Sequence, residues 1–206
     1  MKMLFKYYDT LSCLISGMTV LFLLPFAIEW DISSINVVVL TAIAYVLGYL
    51  LNTLSAMAEP VYYWLMGGMP SDKLLTPPRP GCCGKTRFYT GYGRVRFYEY
   101  ERAIKLLRKE LNDSKASTRK MFGKAMSYSN SDNSSRVPDF NAQYGFSRVM
   151  LTLGIVAAAI ILPQYYTKWW AWAVAVVVLL LLGHRCKERG YYYAREVLIE
   201  YIKSKK

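Results

Sequence analysis

The sequence is poor in the residues on which most enzymes rely. It has one histidine, His184, and contains neither an H-E-x-x-H motif nor a phosphate-binding P-loop. Gly91-Tyr92-Gly93 lacks the third glycine of a dinucleotide-binding loop, and Glu99 and Glu101 stand among basic residues as ordinary ion-pair partners would. We therefore expect no catalytic residues, no cofactor and no enzymatic activity.

Cysteine is also scarce, which argues against a disulfide-stabilised fold. The four cysteines are Cys13, Cys82, Cys83 and Cys186, and the adjacent pair does not have the spacing of a zinc knuckle. A zinc site that combines this pair with His184 and Cys186 is the alternative to reduced structural thiols. The spacing favours thiols, and we expect no metal site.

Charged residues are missing from four long stretches, residues 10–28, 32–58, 149–167 and 169–184. The first three are long enough to cross a bilayer as helices, and the fourth, about 24 Å long, can span if Arg185 and Lys187 reach the lipid surface. No small-x-small cleavage site follows the first stretch, so a retained hairpin is favoured over a signal peptide. The sequence predicts four transmembrane helices.

Acidic residues are few, 14 against 26 basic ones, and the basic residues are unevenly placed. All of them except Lys168 lie before the first stretch, between the second and third, or after the fourth; the short connections otherwise carry Glu29 and Asp31. The positive-inside rule then places both termini and the central segment in the cytoplasm. We expect a multi-pass protein of the bacterial inner membrane.

These observations predict an all-α integral membrane protein built from two transmembrane hairpins that flank a basic cytoplasmic helical domain. The predicted domains are a first hairpin (1–59), a basic cytoplasmic domain with a Pro/Gly-rich start and a polar linker (60–145), a second hairpin (146–184) and a basic C-terminal helix (185–206). Within the central domain, apolar residues at helical spacing predict a helix over 94–111, and a second basic helix is expected over 114–127.

A polar stripe runs along the second predicted span. Its members follow one another at steps of four and three, which aligns them on one helix face: Thr41, Tyr45, Gly48, Asn52, Ser55 and Glu59. Polar side chains in a bilayer face protein or water, so the stripe is either a pore lining or a packing surface between helices. A pore lining would require copies of this helix around the axis of a symmetric homo-oligomer.

The central segment is the strongest candidate for a binding site. Residues 85–124 contain 12 Lys or Arg and 4 Asp or Glu, interleaved with aromatic residues, a combination that suits ligands carrying phosphates and bases. Anionic lipid headgroups are the alternative ligand, because cytoplasmic loops of membrane proteins are generally basic. The candidate anion-binding residues are Arg94, Arg96, Arg102, Lys105, Arg108, Lys109, Arg119 and Lys120.

Two short motifs carry a resemblance to known proteins. Gly48-Tyr49-Leu50-Leu51 and Pro70-Ser71-Asp72-Lys73-Leu74-Leu75, together with the plan of two hairpins around a basic core, resemble small bacterial inner-membrane proteins of anti-phage defence. In size and plan the chain is similar to the membrane effector of the Hailong defence system. The resemblance implies a homo-oligomeric channel that a nucleotide-derived ligand opens or closes.

The resulting hypothesis is a homo-oligomeric channel or pore gated by an anionic ligand, a cyclic nucleotide or an oligonucleotide, at the basic domain. Its expected partners are the lipid bilayer, further copies of the chain, the ligand, and a nucleotide-producing enzyme encoded nearby. The alternative is a membrane anchor or adaptor that recruits a cytoplasmic partner or binds anionic lipid.

Overall fold

The computed structural model describes residues 2–28, 35–65, 67–77, 89–129 and 135–205. The chain divides into two compact units. Unit 1 consists of residues 1–61 and 142–186, and unit 2 of residues 62–141 and 187–206. The predictions made for Glu29, Asp31, Cys82 and Cys83 lie outside the described residues.

Helices dominate both units. The helices are α1 (Lys2–Ile28), α2 (Val37–Met57), α3 (Glu59–Leu65), α4 (Pro70–Leu74), α5 (Tyr100–Leu111), α6 (Thr118–Ser129), α7 (Val137–Ile161) and α8 (Trp169–Ser204). Two short strands, β1 (Thr90–Tyr92) and β2 (Val95–Phe97), pair antiparallel.

Three helices are long and apolar enough to cross a membrane, which indicates a membrane protein. They are α2, α7 and α8, with mean hydropathies of 2.0, 1.8 and 1.6 in their most apolar windows. In α1 the described apolar stretch is the shorter segment Ser12–Pro25. The structure thus supports three of the four predicted spans.

Unit 1 is organised around a close crossing of α1 and α2. A Cβ atom added at Gly17 would lie 1.6 Å from the carbonyl oxygen of Ala44, and one added at Gly48 would lie 1.7 Å from that of Cys13. Only glycine lets two helix backbones approach so closely, and helices in membranes associate through such contacts. Leu21 and Ala44 are fully buried beside the crossing.

Helix α7 completes the packed interior of unit 1. Its residues Val149 and Leu153 form a buried cluster with Leu51 of α2, and Val20 of α1 packs against this cluster. Gly154 of α7 leaves room for Leu179 and Leu182 of α8, which a Cβ at this glycine would approach to 3.3 and 2.8 Å. All four long helices therefore contribute to unit 1.

Unit 2 has its own apolar core. The apolar residues that the sequence predicts at helical spacing lie on the face of α5 that contacts this core, with Ala103 and Leu107 fully buried. The predicted helix over the basic C-terminal residues 185–206 is present, since α8 extends to Ser204 and buries Leu198 and Ile202. The remaining core comes from α4, the strands and α6, through residues that include Leu74, Val95, Phe97, Met121 and Ala125.

The predicted start of the central helix at Arg94 is wrong, because residues 90–97 form a hairpin and α5 begins at Tyr100. Gly91 has a φ of 145° and lies directly against the Val95 carbonyl, and Gly93 has a φ of 57° in the turn. Both values favour glycine. The alternation of buried Val95 and Phe97 with exposed Arg96 is the period of a strand.

We predict that Gly48→Ala destabilises unit 1. The new methyl group would force α1 and α2 apart and lower the free energy of unfolding by about 1–3 kcal/mol, which is typical of overpacking. Thermal unfolding of the full chain in detergent micelles, followed by circular dichroism, measures the effect.

Gly183→Ala in α8 is the matched control for this test. No neighbouring atom lies within 4 Å of a Cβ built there, and alanine favours a helix over glycine by about 1 kcal/mol. Equal stability of Gly48→Ala and the unmodified protein would contradict the close crossing.

Candidate functional site

Two members of the polar stripe, Gly48 and Ser55, are buried within unit 1. Gly48 contacts the backbone of α1, and Ser55 is fully buried with its hydroxyl donating a hydrogen bond of 2.8 Å to the Asn52 carbonyl oxygen. Hydroxyl groups that bond to their own helix backbone have no need of water. These two residues therefore have the surroundings of a helix-packing surface.

Three other members of the stripe are more accessible. Tyr45 is 44% exposed, while Thr41 and Asn52 are half-buried. The Thr41 hydroxyl donates a hydrogen bond of 2.8 Å to the Val37 carbonyl oxygen. Thr41, Tyr45 and Asn52 therefore form the accessible edge of the stripe.

Glu59, the last member of the stripe, takes part in a polar cluster with α7. One carboxylate oxygen accepts a hydrogen bond of 2.8 Å from the Arg148 guanidinium, and the other accepts one of 2.9 Å from the Tyr144 hydroxyl. The Arg148 side chain is 15% exposed and that of Glu59 28% exposed. Glu59, Tyr144 and Arg148 thus link the start of α3 to α7.

The sequence analysis identified Glu59 but neither of its partners. Tyr144 and Arg148 are four positions apart, so they share one face of α7. Arg148 directly precedes a charge-free stretch. Breaking this half-buried ion pair would leave the remaining charged group unpaired and only partly hydrated. The sequence feature that could have identified Arg148 is its position as a basic residue directly before an apolar stretch.

The eight predicted anion-binding residues all lie in unit 2, and all eight are exposed. On α5, Arg102, Lys105, Arg108 and Lys109 occupy the face opposite the buried stripe. Arg119 and Lys120 lie in the first turn of α6, and Arg94 and Arg96 in the hairpin. We refer to these eight residues as the basic surface.

Within the described parts of the chain, no carboxylate forms an ion pair with any residue of the basic surface. Arg96 instead lies over the ring of Tyr89, with its guanidinium carbon 5.1 Å from the ring centre. An anion can therefore approach this surface without displacing a carboxylate of the described residues.

Two ion pairs of unit 2 lie at a different place, around Glu110. Its carboxylate accepts hydrogen bonds from the hydroxyls of Tyr128 and Tyr201, the latter at 2.6 Å. The ammonium nitrogens of Lys124 and Lys205 lie 3.6 and 3.4 Å from its oxygens. This Glu110 cluster joins α5, α6 and the end of α8.

The surroundings of Glu110 stabilise its charged form. Burial by itself would raise the pKa of the Glu110 carboxyl, but hydrogen bonds from Tyr128 and Tyr201 and the charge of Lys205 lower that pKa from 4.5 to about 2. Because the folded pKa lies below the unfolded one, this contribution to stability is present above about pH 4.5 and is lost as the pH falls toward 2.

Comparison of the chain with protein-family models, curated proteins and solved structures finds no match. The functional assignment therefore depends on the residues and contacts described above.

We predict that Glu110→Gln lowers the free energy of unfolding at pH 7 by about 1–3 kcal/mol, because it weakens charge-assisted hydrogen bonds. The difference from the unmodified protein should shrink as the pH falls from about 4.5 toward 2, where the native carboxyl becomes protonated. Denaturant unfolding of the full chain across this pH range measures both quantities.

Glu101→Gln provides the control, since Glu101 is exposed and its carboxylate accepts a single hydrogen bond of 3.2 Å from Tyr100. We expect a change within about 0.5 kcal/mol at this surface position. A difference between Glu110→Gln and the unmodified protein that is the same at pH 7 and pH 2 would refute the role given to the carboxylate.

Proposed function

We propose that this chain is a membrane receptor for an anionic, phosphate-bearing ligand, a nucleotide or an oligonucleotide, which binds to the cytoplasmic unit 2. The observation that carries the proposal is the basic surface, whose eight exposed cations have no ion-pair partner among the described residues. Clustered Lys and Arg attract phosphates, and exposed aromatic rings such as Tyr98 provide stacking partners for bases.

The proposed topology has four spans with both termini in the cytoplasm of a bacterium, in its inner membrane. The intimate backbone contact between α1 and α2 supports α1 as the additional span, because its middle packs against the middle of a long apolar helix. The charge asymmetry supports the orientation, since Lys168 alone among the basic residues lies in the short connections.

The proposed output of ligand binding is the opening or closing of a pore formed by a symmetric homo-oligomer. In such an assembly the accessible edge of the stripe, Thr41, Tyr45 and Asn52, would face the axis, while Gly48, Ser55 and Glu59 hold the protomer together. A ligand gates a pore only if it binds one arrangement of the protein more tightly than the other. The resemblance to anti-phage membrane effectors favours the same output.

A membrane anchor or adaptor is the second candidate function. The observation that favours it is the packing of Gly48, Ser55 and Glu59 within unit 1, because a stripe consumed in helix contacts leaves less polar surface for a pore. In that case the basic surface would bind anionic lipid headgroups or an acidic partner protein.

We predict that charge reversal at two positions of the basic surface, Arg102→Glu with Lys105→Glu, reduces the affinity for a labelled single-stranded oligonucleotide at least tenfold. Each lost phosphate contact should also reduce the dependence of affinity on salt concentration. Fluorescence anisotropy with full-length protein in micelles measures both quantities at several salt concentrations.

Lys115→Glu with Lys168→Glu is the control, because it changes the net charge by the same amount at exposed positions outside the basic surface. Equal losses in the two double variants would indicate non-specific attraction. Absence of oligonucleotide binding combined with capture by anionic lipid vesicles would favour the anchor.

We further predict that the purified protein conducts ions in liposomes and that Asn52→Leu reduces the flux at least tenfold. Asn52 belongs to the accessible edge of the stripe, and leucine there would make a water-filled path apolar and narrower. Ion flux measured with and without oligonucleotide tests the pore.

Thr53→Leu is the matched control, since Thr53 is the next residue of α2, is exposed and lies outside the stripe. Its flux should stay close to that of the unmodified protein. Absence of flux under every ligand condition would favour the adaptor.

A further inference from the structure

Unit 2 contains a cavity of about 270 Å³, and Arg96 of the basic surface belongs to its lining. It lies between the end of β2, the residues that lead into α5, and the last turns of α8. Its lining consists of Arg96, Phe97, Tyr98, Glu99, Ile199, Ile202 and Lys203. All of these residues belong to unit 2.

The cavity combines an apolar floor with a charged rim. Phe97 and Ile202 are almost fully buried and Ile199 packs against the same core. At the rim, Arg96 is exposed and the Lys203 side chain is 60% exposed, with its ammonium 3.4 Å from Glu200. A ligand that fits must therefore be partly apolar and partly anionic.

Aromatic rings flank the mouth of the cavity. Tyr98 is 59% exposed, and its ring centre lies 5.7 Å from that of Tyr89, over which Arg96 is placed. An exposed ring beside a guanidinium is a surface on which a flat heterocycle can stack. These contacts favour a flat, unsaturated apolar group over an aliphatic one.

Glu99 adds a hydrogen-bond acceptor to the lining. It is the residue that precedes α5, yet its side chain makes no capping hydrogen bond to that helix. Glu99 also forms no ion pair with the described residues, so its carboxylate can accept a hydrogen bond from a ligand. An acceptor next to a stacking surface is suited to the amino group of an adenine, cytosine or guanine base.

We infer that this cavity binds one nucleotide unit. The base lies on the apolar floor beside Tyr98, its amino group donates a hydrogen bond to Glu99, and the phosphate lies between Arg96 and Lys203. This inference rests on the proposed function, because it identifies where on unit 2 a phosphate-bearing ligand is recognised.

The test is calorimetric titration of the full-length protein in micelles with AMP, UMP, ribose 5-phosphate and inorganic phosphate. We expect AMP to bind at least tenfold more tightly than ribose 5-phosphate, because only AMP has a base, and more tightly than UMP, whose base has no exocyclic amino group. A trinucleotide of adenine in a parallel titration separates the two sources of the ligand. Binding that is tighter than that of AMP and that Tyr98→Ala weakens about tenfold would assign the cavity to an oligonucleotide end.

Three exposed positions supply the variants. Lys203→Glu and Tyr98→Ala should each weaken AMP binding about tenfold, through the phosphate and the base respectively. Glu99→Gln should reduce the preference for AMP over UMP, because a neutral amide oxygen is a weaker acceptor than a carboxylate. Lys115→Glu is the control and should bind AMP like the unmodified protein.

Equal affinity for AMP and ribose 5-phosphate, or equal effects of Lys203→Glu and Lys115→Glu, would overturn the assignment of this cavity. The proposed function would survive that result if reversal of Arg102 and Lys105 still removed oligonucleotide binding. Failure of every phosphate-bearing ligand to bind would overturn both proposals.

Discussion

The backbone contact between α1 and α2 determines how unit 1 is arranged. In a bilayer, two apolar helices gain little by hiding side chains from lipid, so their association depends on close packing and on satisfied polar groups. Gly17 and Gly48 allow that packing, and the neighbouring Ser16 and Ser55 are buried with their hydroxyls bonded to backbone carbonyls. The crossing fixes which side of α2 faces protein and leaves the side with Val46, Tyr49 and Leu50 exposed.

Unit 2 separates its charges in space. Glu110 collects two lysines and two tyrosines in the cluster that joins three helices, whereas the cations of α5 and of the hairpin point away from the core. The residues that stabilise unit 2 through ion pairs at Glu110 are therefore different from those that make its basic surface positive. An anionic ligand can be recognised on this unit without disturbing the contacts that hold it together.

The sequence predicted the elements whose patterns are local. Three long apolar helices and the apolar face of α5 follow from charge-free runs and from helical spacing. The hairpin was missed, because Gly91 and Gly93 adopt backbone angles that reverse the chain within a segment that otherwise looks like the start of a helix.

Contacts distant in the sequence could not be predicted. Glu59 meets Tyr144 and Arg148 more than eighty residues later, and the cavity at Arg96 is completed by Ile199 and Lys203. The periodicity of the sequence identified the polar face of α2. Only the structure shows that Gly48 and Ser55 on this face are covered by other residues.

Unit 2 is built from two segments that are far apart in the sequence, residues 62–141 and 187–206, so its parts are synthesised at different times. Its core needs Tyr191, Leu198 and Tyr201, yet the ribosome reaches these residues only after both α7 and the apolar part of α8 have been made. The core residues Val95, Leu107 and Met121 of the first segment are therefore incompletely covered while the later helices are synthesised. The core of unit 2 is therefore complete only after the end of α8 has been translated.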